Sequence, residues 1–134
     1  MEQGKVETQK LFDAVLPLAK ELLLENEEFF PFGEIMKPNG AQVNLSVSNG
    51  EEKPSSSDLI DLLKNHYLES AQASEIIASA LVYDVRVKGT DSIAVDLDHV
   101  SGYSVTVIVP YELTGTELHI GEMFTMKGKN AIFK

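Results

Sequence analysis

Apolar and polar residues alternate along the C-terminal third of the chain in four successive runs. These are Ile76 to Lys88, Ser92 to His99, Tyr103 to Tyr111 and Glu117 to Met126. A period of two predicts strands of a sheet with one covered and one open face. The N-terminal part follows a different period. Thr8, Leu11, Phe12, Val15, Leu18, Ala19, Leu22 and Leu23 fall at three- and four-residue steps, which predicts a helix from about Gly4 to Glu28. Pro17 lies inside that stripe and lacks a backbone donor, so a kink or a division is expected there. Glu25, Glu27 and Glu28 crowd the end where the helix dipole disfavours carboxylates, which places the end of regular helix near Asn26.

Phe29-Phe30-Pro31-Phe32-Gly33 follows. Three rings around a proline read as a core plug joining the first helix to the first strand. The competing reading is an exposed aromatic docking edge whose shape is fixed by proline and glycine. Glu34 to Lys37 and Ala41 to Val47 form an expected hairpin closed by Pro38-Asn39-Gly40, because Asn and Gly both tolerate positive φ. Asn49 to Ser56 reads as a surface loop. A second helix begins at Ser55 or Ser56, with Ser55 and Asp58 resembling a capping box. Leu59, Ile60, Leu63, Tyr67, Ser70 and Ala71 trace its buried side, and it yields near Ser74.

Register follows from assigning inward residues in the strands. Leu81, Tyr83, Val85 and Val87 are taken as inward, then Ile93, Val95, Leu97 and His99, then Tyr103, Val105, Val107, Val109 and Tyr111. One common face then requires three-residue turns at Gly89-Thr90-Asp91 and Val100-Ser101-Gly102. Thr114-Gly115 closes the last hairpin and sets Tyr111 opposite Leu118. Pro110 cannot donate to a ladder, so pairing should end or bulge there. The expected fold is a single α+β domain spanning residues 1–134. It is a mostly antiparallel sheet of about six strands with two helices on one face, in the order α-β-β-α-β-β-β-β.

That register puts Asp84 across from Asp96 on the open face, with Asp98 two residues along and Arg86 diagonal to Asp96. Facing carboxylates need a cation or a proton between them. Asp84, Asp96 and Asp98 are therefore candidates for a calcium or magnesium site, or for a carboxylate pair with one raised pKa. The simpler reading is a solvated cluster screened by water and Arg86. Val82, Ala94 and Ile108 lie outward in the same register and flank the acids, so Val82, Asp84, Ala94, Asp96, Asp98 and Ile108 together form the candidate partner surface. His66, His99 and His119 show no metal-ligand spacing; His99 is expected inward, half-buried and hydrogen-bonded near Tyr103.

Composition narrows the possibilities further. The chain has no cysteine, which removes disulfides and thiolate chemistry and suits a reducing cytoplasm. Its formal charge of −10 opposes binding to nucleic acid or anionic lipid. No run of apolar residues is long enough to span a membrane, and the N-terminus lacks a signal-peptide pattern. Nucleophile elbows, phosphate loops and cofactor motifs are absent, and no cofactor is expected.

Phe30-Pro31-Phe32-Gly33, the Asn39-Gly40 turn, Leu81-Val82-Tyr83-Asp84-Val85-Arg86-Val87 and Val109-Pro110-Tyr111 together resemble a small bacterial family that is a domain of unknown function. The resemblance implies a bacterial cytoplasmic protein and carries over no catalytic residue. The functional expectation is a non-catalytic module that binds a protein partner or associates with itself. The acidity would suit a basic target, as in an immunity-type protein. The alternative is a small enzyme or divalent-metal binder using the acidic cluster.

Overall fold

The computed structural model describes residues 2–47, 50 and 54–133. Among the described residues, two helices and seven strands run in the order α1 (Glu2–Asn26), β1 (Phe32–Met36), β2 (Gln42–Leu45), α2 (Ser56–Gln72), β3 (Ala78–Val87), β4 (Thr90–His99), β5 (Ser104–Thr114), β6 (Glu117–Ile120) and β7 (Phe124–Lys127). The strands form one antiparallel sheet ordered β2-β1-β3-β4-β5-β6, with β7 also on β5. This is the expected α+β class and element order. Asn49 and residues 51–53 of the expected loop lie outside the described residues.

Helix α1 continues unbroken through Pro17, so the expected division does not occur. Pro17 faces solvent, where water can satisfy the carbonyl it leaves unpaired. The opposite side buries Thr8, Leu11, Phe12, Val15, Ala19 and Leu23 on the sheet. Helix α2 starts as its sequence indicates, with Ser55 Oγ accepting the Asp58 N–H at 3.1 Å. It buries Leu59, Leu63 and Tyr67.

The two helices cover opposite faces of the sheet, not one. Ala78, Ala80 and Val82 of β3 pack with Ile93, Val95 and Leu97 against α1. Leu81, between Ala80 and Val82, packs instead with Ile35, Leu63 and Tyr67 on the α2 side. The cause is the β3–β4 turn. Val87 pairs with Thr90, so the turn has two residues, Lys88 and Gly89, both at positive φ (52° and 79°). The expected turn at Gly89-Thr90-Asp91 would have set Asp84 opposite Asp96 instead of Ile93, a shift of three residues, and an odd shift turns β3 over. With the tighter turn, small alanines lie beneath α1 and bulky Leu81 and Tyr83 face the other way.

The β4–β5 turn is the expected Val100-Ser101-Gly102, with His99 N–H donating to the Tyr103 carbonyl at 2.9 Å and Gly102 at φ 98°. The last hairpin turns at Gly115-Thr116, so Tyr111 faces Ile120 and Leu118 faces Leu113; the expected Tyr111–Leu118 pairing is off by one pleat. Pro110 interrupts pairing as expected. Gly121, Glu122 and Met123 on the outer strand face only Val109 and Pro110 on β5, a one-residue bulge that separates β6 from β7. None of the described helices is long and apolar enough to cross a membrane.

Candidate functional site

Asp96 and Asp98 occupy alternate positions of β4 and therefore share the α2 face of the sheet. Their cross-strand neighbours on β5 are Thr106 and Ser104. Both carboxylates are buried and both are satisfied. Asp96 Oδ1 accepts from Thr106 Oγ1 at 2.7 Å and from the Tyr83 hydroxyl at 3.2 Å, while Oδ2 lies 3.4 Å from Lys129 Nζ. Asp98 Oδ1 accepts from Ser104 Oγ at 2.8 Å. Lys129 also donates to the Tyr83 hydroxyl at 3.1 Å and lies 5.3 Å from that ring's centre.

Burial pushes the Asp98 carboxyl above its ordinary pKa; the Ser104 hydrogen bond opposes this and the Asp96 charge adds to it. Burial alone would lower the Lys129 pKa, but the Tyr83 hydrogen bond and the Asp96 charge outweigh it and hold the ammonium raised. Between these groups and Ile132 the free space is only about 10 Å³, room for one water at most. The cluster is a closed polar core with no space for a substrate.

The expected three-carboxylate site does not form. Asp84 pairs with Ile93 and lies on the α1 face, with the whole sheet between it and Asp96. Its Oδ1 accepts from the Tyr111 hydroxyl at 2.9 Å. Burial raises its pKa, Tyr111 counteracts that, and the Asp91 charge raises it further. Arg86 pairs with exposed Asp91 at 3.5 Å rather than with Asp96. Val82, Ala94 and Ile108 form no outward patch: all three are buried, Val82 under α1 and the other two on the opposite face. The corrections for Asp84, Arg86 and Val82 share one origin, the two-residue β3–β4 turn; Ala94 and Ile108 keep their expected face, which is covered instead of open. Among the described residues no group of three or more histidines and carboxylates could hold a metal ion.

His99 is inward, as expected, and fully enclosed. Its Nε2 lies 2.8 Å from Glu7 Oε1 on α1, and its Nδ1 lies 2.8 Å from Ser101 Oγ and accepts the Ser101 N–H at 3.0 Å. Glu, His and Ser thus meet, but the lone pair that would act as base is used by a backbone amide. The trio clamps the first turns of α1 to the β4–β5 turn. His119 pairs with Glu117 at 3.3 Å on an exposed strand, and exposed His66 stands beside Tyr67.

Open space gathers elsewhere, around the segment joining α1 to β1. Phe29 and Phe32 stack edge to face at 5.8 Å and are buried, which fulfils the plug reading for two of the three rings. Phe30 points outward and is 53% exposed. On one side of it lies an apolar groove of about 630 Å³, walled by Leu18, Leu22, Phe29, Pro31 and Val47. On the other side lies a recess of about 340 Å³ that contains Glu28, Asp84, Arg86 and Asp91. Across Arg86 and Asp91 that recess adjoins a third of about 540 Å³, bounded by Glu27, Tyr111 and Glu112. The two polar recesses thus set five carboxylates (Glu27, Glu28, Asp84, Asp91 and Glu112) around a single guanidinium.

Sequence reasoning identified Asp84 but not its surroundings. The signal available was the acidic end of α1 running directly into the aromatic segment, Glu25 to Phe32. No family model, curated protein or solved structure matches the chain.

Proposed function

We propose that this chain is a non-catalytic protein-binding module that takes a segment carrying an apolar anchor next to lysine or arginine. One observation carries the reading: the exposed Phe30 ring stands between an apolar groove and an acidic recess, so the two chemistries adjoin. The groove has the dimensions of a binding pocket and apolar walls, which suits a large side chain of the partner. The recesses favour a cation beside it. Asp84 is partly desolvated there, and a partner ammonium or guanidinium would stabilise its ionised form. Aromatic side chains at the centre of an interface supply much of its energy, which gives Phe30 the central role.

The overall charge of −10 supports the same choice, because it speeds encounter with a basic partner and repels nucleic acid and anionic lipid. Neutralising a basic protein, as an immunity-type protein does, is the specialisation we favour, in a bacterial cytoplasm. Titration of the labelled chain with amphipathic Lys/Arg-rich peptides, followed by NMR, tests this. Shifts should concentrate at Leu22, Phe30, Asp84 and Arg86, and Phe30→Ala should weaken binding at least ten-fold. Binding that survives both Phe30→Ala and Glu28→Lys would sink the proposal.

A further inference from the structure

Arg86 is the only arginine among the eleven basic side chains of the sequence, and it stands where the two acidic recesses meet. Arg86 and Asp91 border both recesses, and among the described residues no other basic side chain borders either. The strand register explains this placement. Asp84 and Arg86 are two residues apart on β3 and so share the α1 face, and Arg86 lies directly across from Asp91. Helix α1 ends at Asn26, and Glu27 and Glu28, the next two residues, each border one recess. The negative end of the helix dipole adds to their charge.

The guanidinium is loosely held. Its Nε lies 3.5 Å from Asp91 Oδ1, beyond ordinary hydrogen-bond length, and the two side chains are 69% and 55% exposed. An exposed pair of this kind contributes little, so moving Arg86 off Asp91 costs little. Asp84 has a stronger need of a cation. It is half-buried, accepts from the Tyr111 hydroxyl, and among the described residues has no ion-pair partner. Phe29 and exposed Phe30 border the same recess.

These surroundings distinguish a guanidinium from an ammonium. A carboxylate accepts a guanidinium through two parallel N–H donors, and an aromatic face stacks on its plane. The guanidinium is also the more weakly hydrated cation, so it enters a half-buried recess at lower cost. We infer that the recess between Phe30 and Asp84 selects arginine over lysine in the partner, and that Arg86 is the internal competitor which the incoming arginine displaces. This specificity rests on the protein-binding role proposed above and names the side chain that role requires. A lone cation meets the repulsion of Arg86. A segment whose apolar anchor fills the neighbouring groove presents its arginine at high local concentration and overcomes it.

Two peptides, identical except for arginine or lysine beside a phenylalanine anchor, test this by calorimetry at one ionic strength. The wild type should bind the arginine peptide about ten-fold more tightly than the lysine peptide. Arg86→Gln, an exposed substitution, should leave the melting temperature unchanged and tighten binding of the arginine peptide about five-fold. Because the chain has one arginine, the isotope-labelled protein gives a single arginine Nε–Hε signal, which should move as the unlabelled arginine peptide is added. Equal affinity for the two peptides overturns the inference, as does unchanged or weaker binding by Arg86→Gln, or a stationary Nε–Hε signal. Equal affinities that are both lost in Phe30→Ala would leave the protein-binding role standing while the specificity fails. No binding by either the wild type or Arg86→Gln would overturn both.

Discussion

Tyr67 lies directly across Gly33, so close that a Cβ at position 33 would overlap the tyrosine hydroxyl. That hydroxyl donates to the Ala80 carbonyl at 2.9 Å, and the ring is completely buried. One glycine in β1 therefore lets α2 reach the sheet. Gly33→Ala should destabilise the chain by about 3 kcal/mol, since the Ala80 backbone cannot yield. Tyr67→Phe, which keeps the ring and removes the hydrogen bond, should cost only about 1 kcal/mol. Urea unfolding of both variants checks the order; equal losses would remove the steric explanation.

Lys129 joins the tail to the sheet through Asp96 and Tyr83. Its side chain is 55% exposed while that of Asp96 is 8% exposed, so solvent screens much of the pair. Lys129→Met should therefore cost about 1 kcal/mol. In an Asp96→Asn background the same change should cost measurably less. A double-mutant cycle with no coupling would show that the contact contributes nothing.

Asp98 makes stability depend on pH in a defined direction. Its folded pKa is raised, so the folded chain holds this proton more tightly than the unfolded chain. Its contribution is fully present below the ordinary carboxylate value and is lost as pH rises through the raised folded value. Asp98→Asn cannot titrate. Measured across that window, the stability of Asp98→Asn relative to wild type should improve as pH rises. A difference independent of pH would contradict the assignment.

The Lys88-Gly89 turn determines which face of β3 meets which helix. A lysine at φ 52° is strained, and the favoured first residue of such a turn is asparagine. Lys88→Asn should stabilise the chain by about 0.5–1 kcal/mol, read as a raised urea midpoint with an unchanged slope. A loss of stability would mean that Lys88 contributes something the backbone geometry does not explain.

That same turn marks where the sequence stops being legible. The buried stripe of α1, the Asn39-Gly40 hairpin, the Val100-Ser101-Gly102 turn and the break at Pro110 each rest on a residue with one evident conformational preference. In β3 the alternation is ambiguous, because Ala78, Ala80 and Val82 are as apolar as Leu81, Tyr83 and Val85. Only the turn length decides between them, and Lys88 gives no sign that it adopts positive φ. The misplaced helix, the lost Asp84–Asp96 pairing and the buried Val82 all follow. Asp96 and Asp98 share a face whatever the register, so their grouping with Thr106 and Ser104 was readable. That Phe30 alone of three rings turns outward depends on how α1 meets β1, which no local pattern records.

Ile132 lies beyond the last strand yet forms part of the core beneath α2. On a ribosome the two halves of this interior therefore mature at different times. The layer under α1 has all its residues once the strands have been made. The layer under α2 waits for Lys129 and Ile132: until they emerge Asp96 lacks its ammonium partner, and Leu63 and Tyr67 lack the side chain that completes their cluster.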